Sequence, residues 1–132
     1  MTTHTISINC PREIRKVPWG LLSANTRHHW SVNREVARTW RRLAFITARN
    51  AGIPTMDRAH VVVTFHKGTS RRYDPGNLAP VSKAIVDGAL VDTGILEDDS
   101  AEYLVGPDHR AGVKSSTPHV VIEITELETP ND

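Results

Sequence analysis

The sequence predicts a single α+β domain spanning residues 1–132, a mixed sheet of about four strands carrying two main helices in the order β-α-β-α-β-β. Three observations support this. Apolar and polar residues alternate over 3–9, 59–67 and 120–125, the period of half-buried strands. Apolar residues recur at helical spacing over 31–50 and again after Asn77. No repeat or linker interrupts the chain, and 132 residues can bury a core without disulfide or metal staples.

The first strand places Ile6 and Ile8 opposite Thr5, Ser7 and Asn9, and Pro11 ends it. Residues 17–30 lack a period and mix Pro and Gly with hydrogen-bond donors and aromatic rings, so they read as an ordered loop. The adjacent His28 and His29 have no second cluster at ligand spacing, which favours hydrogen bonding or phosphate contact over metal binding.

Ser31 or Asn33 is the expected cap of the first helix, and Gly52 and Pro54 its end. Val36, Trp40, Leu43, Ala44 and Thr47 share one side, while Arg34, Arg38, Arg41, Arg42 and Arg49 gather on the other. That basic stripe is either a solvated face or a phosphate-binding one. Phe45 lies among the arginines, suited to stacking on a base or packing against a second subunit.

Residues 59–67 form the clearest strand, with Val61, Val63 and Phe65 on one face and His60, Val62, Thr64 and His66 on the other, as for a central strand. His60 and His66 are too far apart along it to act as joint ligands. Asn77 is the expected cap of the second helix, with Pro80 tolerated in the first turn and Gly94 ending it. Residues 101–105 read as a short strand, 107–117 as a polar turn or hairpin connection, and 120–125 as a final strand antiparallel to it. The acidic tail from Glu126 to Asp132 is expected to fray.

The chemistry concentrates around the second helix. Asp74 precedes it, Lys83 and Asp87 lie within it at i and i+4, and Glu97-Asp98-Asp99 follows it, with Arg71-Arg72 just upstream. Carboxylates bind a hard divalent cation such as Mg²⁺ through oxygen, and a lysine beside them neutralises charge on a phosphodiester. Lys83 and Asp87 alone also fit an ordinary surface ion pair.

Charge is divided at the same point. Residues 1–73 carry 13 Lys+Arg against 3 Asp+Glu, and residues 74–132 carry 3 against 12, giving the formal net charge of +1. A basic half suits a polyanion and an acidic half a cation; alternatively, the halves pair with one another. The single cysteine, Cys10, cannot form an internal bridge and suits a reducing compartment. With no apolar run of membrane-spanning length and a polar start unlike a signal peptide, the expectation is a cytoplasmic protein with no membrane partner.

The runs Arg71-Arg72-Tyr73-Asp74-Pro75-Gly76-Asn77-Leu78, Lys83-Ala84-Ile85-Val86-Asp87-Gly88-Ala89-Leu90 and Gly94-Ile95-Leu96-Glu97-Asp98-Asp99 resemble the signature of the RusA family of Holliday junction resolvases, especially its actinobacterial phage and prophage members. The segment from Asn25 to Trp30 and the arginine-rich helix also fit, so the resemblance covers most of the chain. It implies a RusA-like fold and a homodimeric, Mg²⁺-dependent endonuclease, with Mn²⁺ as a substitute and no small-molecule cofactor. Such an enzyme cuts four-way DNA junctions during recombination, repair or phage DNA processing in a bacterial cell.

By that resemblance Asp74, Lys83 and Asp99 are catalytic, Asp74 and Asp99 hold the metal, and Asp87 and Asp98 accompany them. Asn25, Arg27, Arg34, Arg38, Arg41, Arg42, Arg71, Arg72 and Asn77 are the expected DNA contacts. The chain departs from the pattern where the family's second carboxylate falls on Gly76. Asp87 or Asp98 replaces that ligand, water fills the gap, or the protein binds branched DNA without cutting it well.

Overall fold

In the computed structural model, which describes residues 2–128, the sheet is organised around its third strand in space. Strands β1 (Thr3–Asn9), β4 (Ala59–His66), β5 (Leu104–Ala111) and β6 (His119–Glu126) are arranged in the order β1-β6-β4-β5. β6 runs antiparallel to both β1 and β4, whereas β4 and β5 are parallel. The α+β class, the mixed four-stranded sheet and the two main helices are as the sequence predicts. Ile6, Ile8, Val61, Val63, Phe65, Val120, Ile122 and Ile124 are buried and join one core with the helices. The alternate β4 positions are only half-buried, so the helices cover one face of the sheet.

The first helix, α1 (Trp30–Ala51), buries Val36, Trp40, Ala44 and Ala48 and ends at Gly52 in the left-handed conformation. Its cap is His29 rather than Ser31 or Asn33. The His29 Nδ1 accepts from the Ser31 amide at 3.2 Å and lies 2.7 Å from the Ser31 hydroxyl. An imidazole acceptor thus satisfies an amide that a preference for short polar caps assigns elsewhere. Trp40 donates from Nε1 to the Gly20 carbonyl at 2.8 Å, tying the preceding loop to this helix.

The second helical run changes pitch twice. A 3₁₀ turn (Pro75–Leu78) leads into α2 (Ala79–Val86), which continues as a π-helical segment (Asp87–Asp92). The cap belongs to Asp74, not Asn77: its carboxylate accepts from the Gly76 amide at 2.9 Å. Asn77 is instead inside the 3₁₀ turn, donating its amide to the Asp74 carbonyl. Gly88 brings the π-helical segment against α1, since a Cβ there would lie 2.0 Å from the Arg41 carbonyl oxygen. Only glycine permits that backbone approach.

Four further features differ from expectation. Strand β5 occupies much of the region read as a polar turn, because parallel pairing with β4 extends it to Ala111 at the sheet edge. An exposed edge strand needs no alternating pattern and accommodates Pro107. β5 and β6 are not neighbours, since β4 lies between them. A small hairpin of β2 (Glu13–Ile14) and β3 (Val17–Pro18) takes up the first two residues of the segment read as an ordered loop. Its turn residues Arg15 and Lys16 have φ of 50° and 67°, values normally signalled by Asn or Gly. Glu126 is paired within β6 rather than frayed, and its amide donates to Thr2; residues 129–132 of the tail lie outside the described residues.

Candidate functional site

Lys83 lies on the exposed side of α2, the opposite side of which buries Val81, Ala84 and Ile85. One turn later the helix presents Asp87, whose carboxylate accepts from the Lys83 ammonium at 3.2 Å. The chain then leaves the π-helical segment, with Ile95 and Leu96 buried as anchors, and the following turn returns Asp99 to the same ammonium. Two carboxylates separated in sequence therefore converge on one cation. The hydrogen bond to Asp99 is the main cause raising the Lys83 pKa, and the same bond holds the Asp99 carboxyl below its ordinary value.

A cleft of about 260 Å³ opens beside this pair, lined by Ser82, Lys83, Asp99, Pro107 and His109 among others. Ser82 is buried and its hydroxyl lies 2.6 Å from His109 Nε2. His109 belongs to the part of β5 that the sequence predicts as a polar turn, so its local pattern gives no sign of a place in the cleft. Its only sequence signal was a ring-bearing polar residue in a polar stretch, which does not distinguish a cleft wall from a loop. The burial of Ser82 is more legible, since helical spacing sets it four residues after Leu78 and three before Ile85, both buried.

The expected site residues are not all drawn together. Asp74 engages the Gly76 amide as a helix cap and makes none of the Lys83 contacts. Asp98 is exposed, and its charge acts with Glu102 and Glu97 to raise the Tyr103 pKa, Glu102 having the largest effect. Among the described residues no group of three or more His, Cys, Asp or Glu side chains is arranged to hold a metal. The donor chemistry nevertheless fits a hard cation. Asp87 and Asp99 already converge on a positive charge, and Mg²⁺ commonly binds through one or two carboxylates with water completing its shell.

The basic residues fall into two groups. Arg71 and Arg72 are exposed in the loop before Asp74, which Tyr73 anchors by donating its hydroxyl to the Phe65 carbonyl at 3.2 Å. Lys67 lies over the Tyr73 ring at 4.2 Å. The segment containing exposed Asn25 and Arg27 is joined to the Asp74 turn by a 2.8 Å bond from the Ala24 amide to the Asn77 carbonyl. The expected contacts Asn25 and Asn77 therefore belong to neighbouring segments.

On α1, Arg34, Arg38 and Arg42 are exposed. Arg41 differs, because its guanidinium grips Asp92 with two bonds of 2.6 and 2.7 Å. This bridge joins the basic and acidic halves of the chain. Phe45 is half-buried with the Arg49 guanidinium 5.8 Å from its ring centre. Compared with known protein families and characterised proteins, the sequence gives no match. No helix among the described residues is long and apolar enough to cross a membrane.

Proposed function

We propose that the chain is a structure-selective endodeoxyribonuclease that cuts four-way DNA junctions as a homodimer, with Mg²⁺ as cofactor and Mn²⁺ as a substitute. The observation that carries this reading is the convergence of Asp87 and Asp99 on Lys83 beside a cleft, close in sequence to Asp74 and the exposed Arg71-Arg72 pair. The resemblance of the motifs to RusA resolvases gives it substrate and setting: branched DNA in recombination, repair or phage DNA processing in the bacterial cytoplasm.

Asp99 and Asp87 are the residues that would hold the cation, with Asp74 and Asp98 as further carboxylates of the motif. A bound divalent ion supplies charge neutralisation and a more acidic water. Lys83 balances negative charge that develops on the phosphoryl oxygens as water adds and the P–O bond breaks. Arg71, Arg72 and the α1 arginines hold the DNA backbone, which fixes position without reading sequence. Fixing the phosphodiester at the mouth of the cleft turns an encounter into a positioned reaction.

A second reading is a branched-DNA-binding protein with impaired turnover. Its support is specific: Gly76 contributes no carboxylate, and Asp74 has an oxygen engaged in capping. A labelled four-way junction incubated with Mg²⁺ or Mn²⁺ separates the two. Symmetric cuts by the wild type that vanish in Asp99→Asn support the nuclease. Tight junction binding without cuts supports the second reading, and no preference for branched over linear duplex removes both.

A further inference from the structure

A groove runs along the outer face of α1, with a lining distinct from that of the Lys83 cleft. It encloses about 890 Å³ and is lined by Trp30, Arg34, Glu35, Arg38, Arg41 and Arg42 among others. We propose that Trp30 and the row Arg34, Arg38 and Arg42 bind an unpaired, single-stranded segment of DNA, with the indole stacking on a base and the arginines taking phosphates. This deepens the reading above and rests on its nucleic-acid side.

Trp30 is 65% exposed, far from what burial of an indole in a monomer's core requires. It is nevertheless held in place. It begins α1, beside the His29 ring that caps the helix, with ring centres 5.4 Å apart. Helix geometry then sets the row: 30, 34, 38 and 42 are four residues apart, about 6 Å of rise per step and about 18 Å overall. An aromatic platform followed by regularly spaced cations is the combination that single strands use, since every base has a π-face and every linkage a charge.

The charges nearby leave that row free for an outside partner. Glu35 is engaged by Arg15 at 2.8 Å, and Arg41 by Asp92. Among the described residues Arg34, Arg38 and Arg42 make no ion pair. A second copy of the chain is the competing occupant. A twofold interface there would set this arginine row against itself, whereas a polyanion neutralises it. The loop preceding Trp30 is also bonded to the Asp74 turn through Ala24 and Asn77, which links the Trp30 end of the groove to the motif that carries Asp74.

The test is binding of a fluorescent single-stranded oligonucleotide and a matching duplex in EDTA, where no cleavage is required. Trp30→Ala is expected to weaken single-strand binding about 5- to 100-fold and duplex binding much less, whereas Trp30→Phe retains it. Arg38→Ala weakens both and lowers the salt dependence. Unchanged single-strand affinity in Trp30→Ala overturns the proposal, as does an equal loss on both substrates. Sedimentation of the same variants gives the other outcome: a wild-type dimer that becomes monomeric in Trp30→Ala identifies a second copy as the occupant and also overturns it. A wild type that cuts no junction but shows Trp30-dependent single-strand binding removes only the nuclease reading.

Discussion

Lys83 donates to Asp99 across sixteen residues of chain, joining α2 to the turn that follows the π-helical segment. The ammonium occupies the point where the carboxylates of Asp87 and Asp99 converge. A divalent cation bound by both must therefore compete with it. Lys83→Met is expected to bind Mn²⁺ several-fold more tightly by calorimetry while losing at least about tenfold in junction cleavage, because charge on the phosphate is no longer balanced. Weaker Mn²⁺ binding in this variant would show that the carboxylates do not form the cation site.

The same pair predicts an acid dependence. Asp99 is held below its ordinary pKa by the Lys83 bond, so its contribution to stability is present above the unfolded carboxyl value and disappears as pH falls through the folded one. Lys83 is raised, so it remains charged throughout the neutral range. In urea unfolding between pH 7 and pH 3, the wild type loses more stability than Asp99→Asn. Equal losses would remove the pair as a contributor.

Gly76 can be tested by restoring a carboxylate. A Cβ at this position would lie 3.2 Å from the Asp74 Oδ1, so the Asp74 side chain must yield by a few tenths of an ångström. The resulting pair of carboxylates adds oxygen donors at the start of the 3₁₀ turn. Gly76→Asp is expected to raise Mn²⁺-supported junction cleavage about tenfold, measured under single-turnover conditions. Reduced cleavage with unchanged folding would mean that the chain has built its site without this position.

Gly88 carries a prediction about the scaffold alone. Any side chain there meets the Arg41 carbonyl, so Gly88→Ala pushes α1 and the π-helical segment apart. The expected cost is about 1–3 kcal/mol in urea unfolding, the range of an overpacked contact. An unchanged midpoint would contradict the close approach of these two backbones.

The Arg41–Asp92 fork spans the same interface. Replacing Asp92 by Asn removes a doubly hydrogen-bonded pair and is expected to cost about 1 kcal/mol, the upper end for partly exposed bridges. It also frees Arg41 in the α1 groove. Junction binding at low salt should therefore tighten modestly in Asp92→Asn, with a steeper salt slope. A weaker affinity would mean that Arg41 serves only the fold.

Much of this was legible in the residues themselves. Alternation placed β1 and β4, helical periodicity placed α1 and the buried side of α2, and the four-residue spacing of Lys83 and Asp87 put their charges together. These are local regularities, set by the two-residue repeat of a strand and the 3.6-residue turn of a helix. Tertiary structure alone decided what depends on contacts distant in sequence. It returned Asp99 to Lys83, paired polar β5 with β4, brought His109 to Ser82, and took Arg41 out of the arginine row by giving it Asp92. None of those partners leaves a period in the chain, because each is chosen by packing between elements rather than by the conformation of the residues around it.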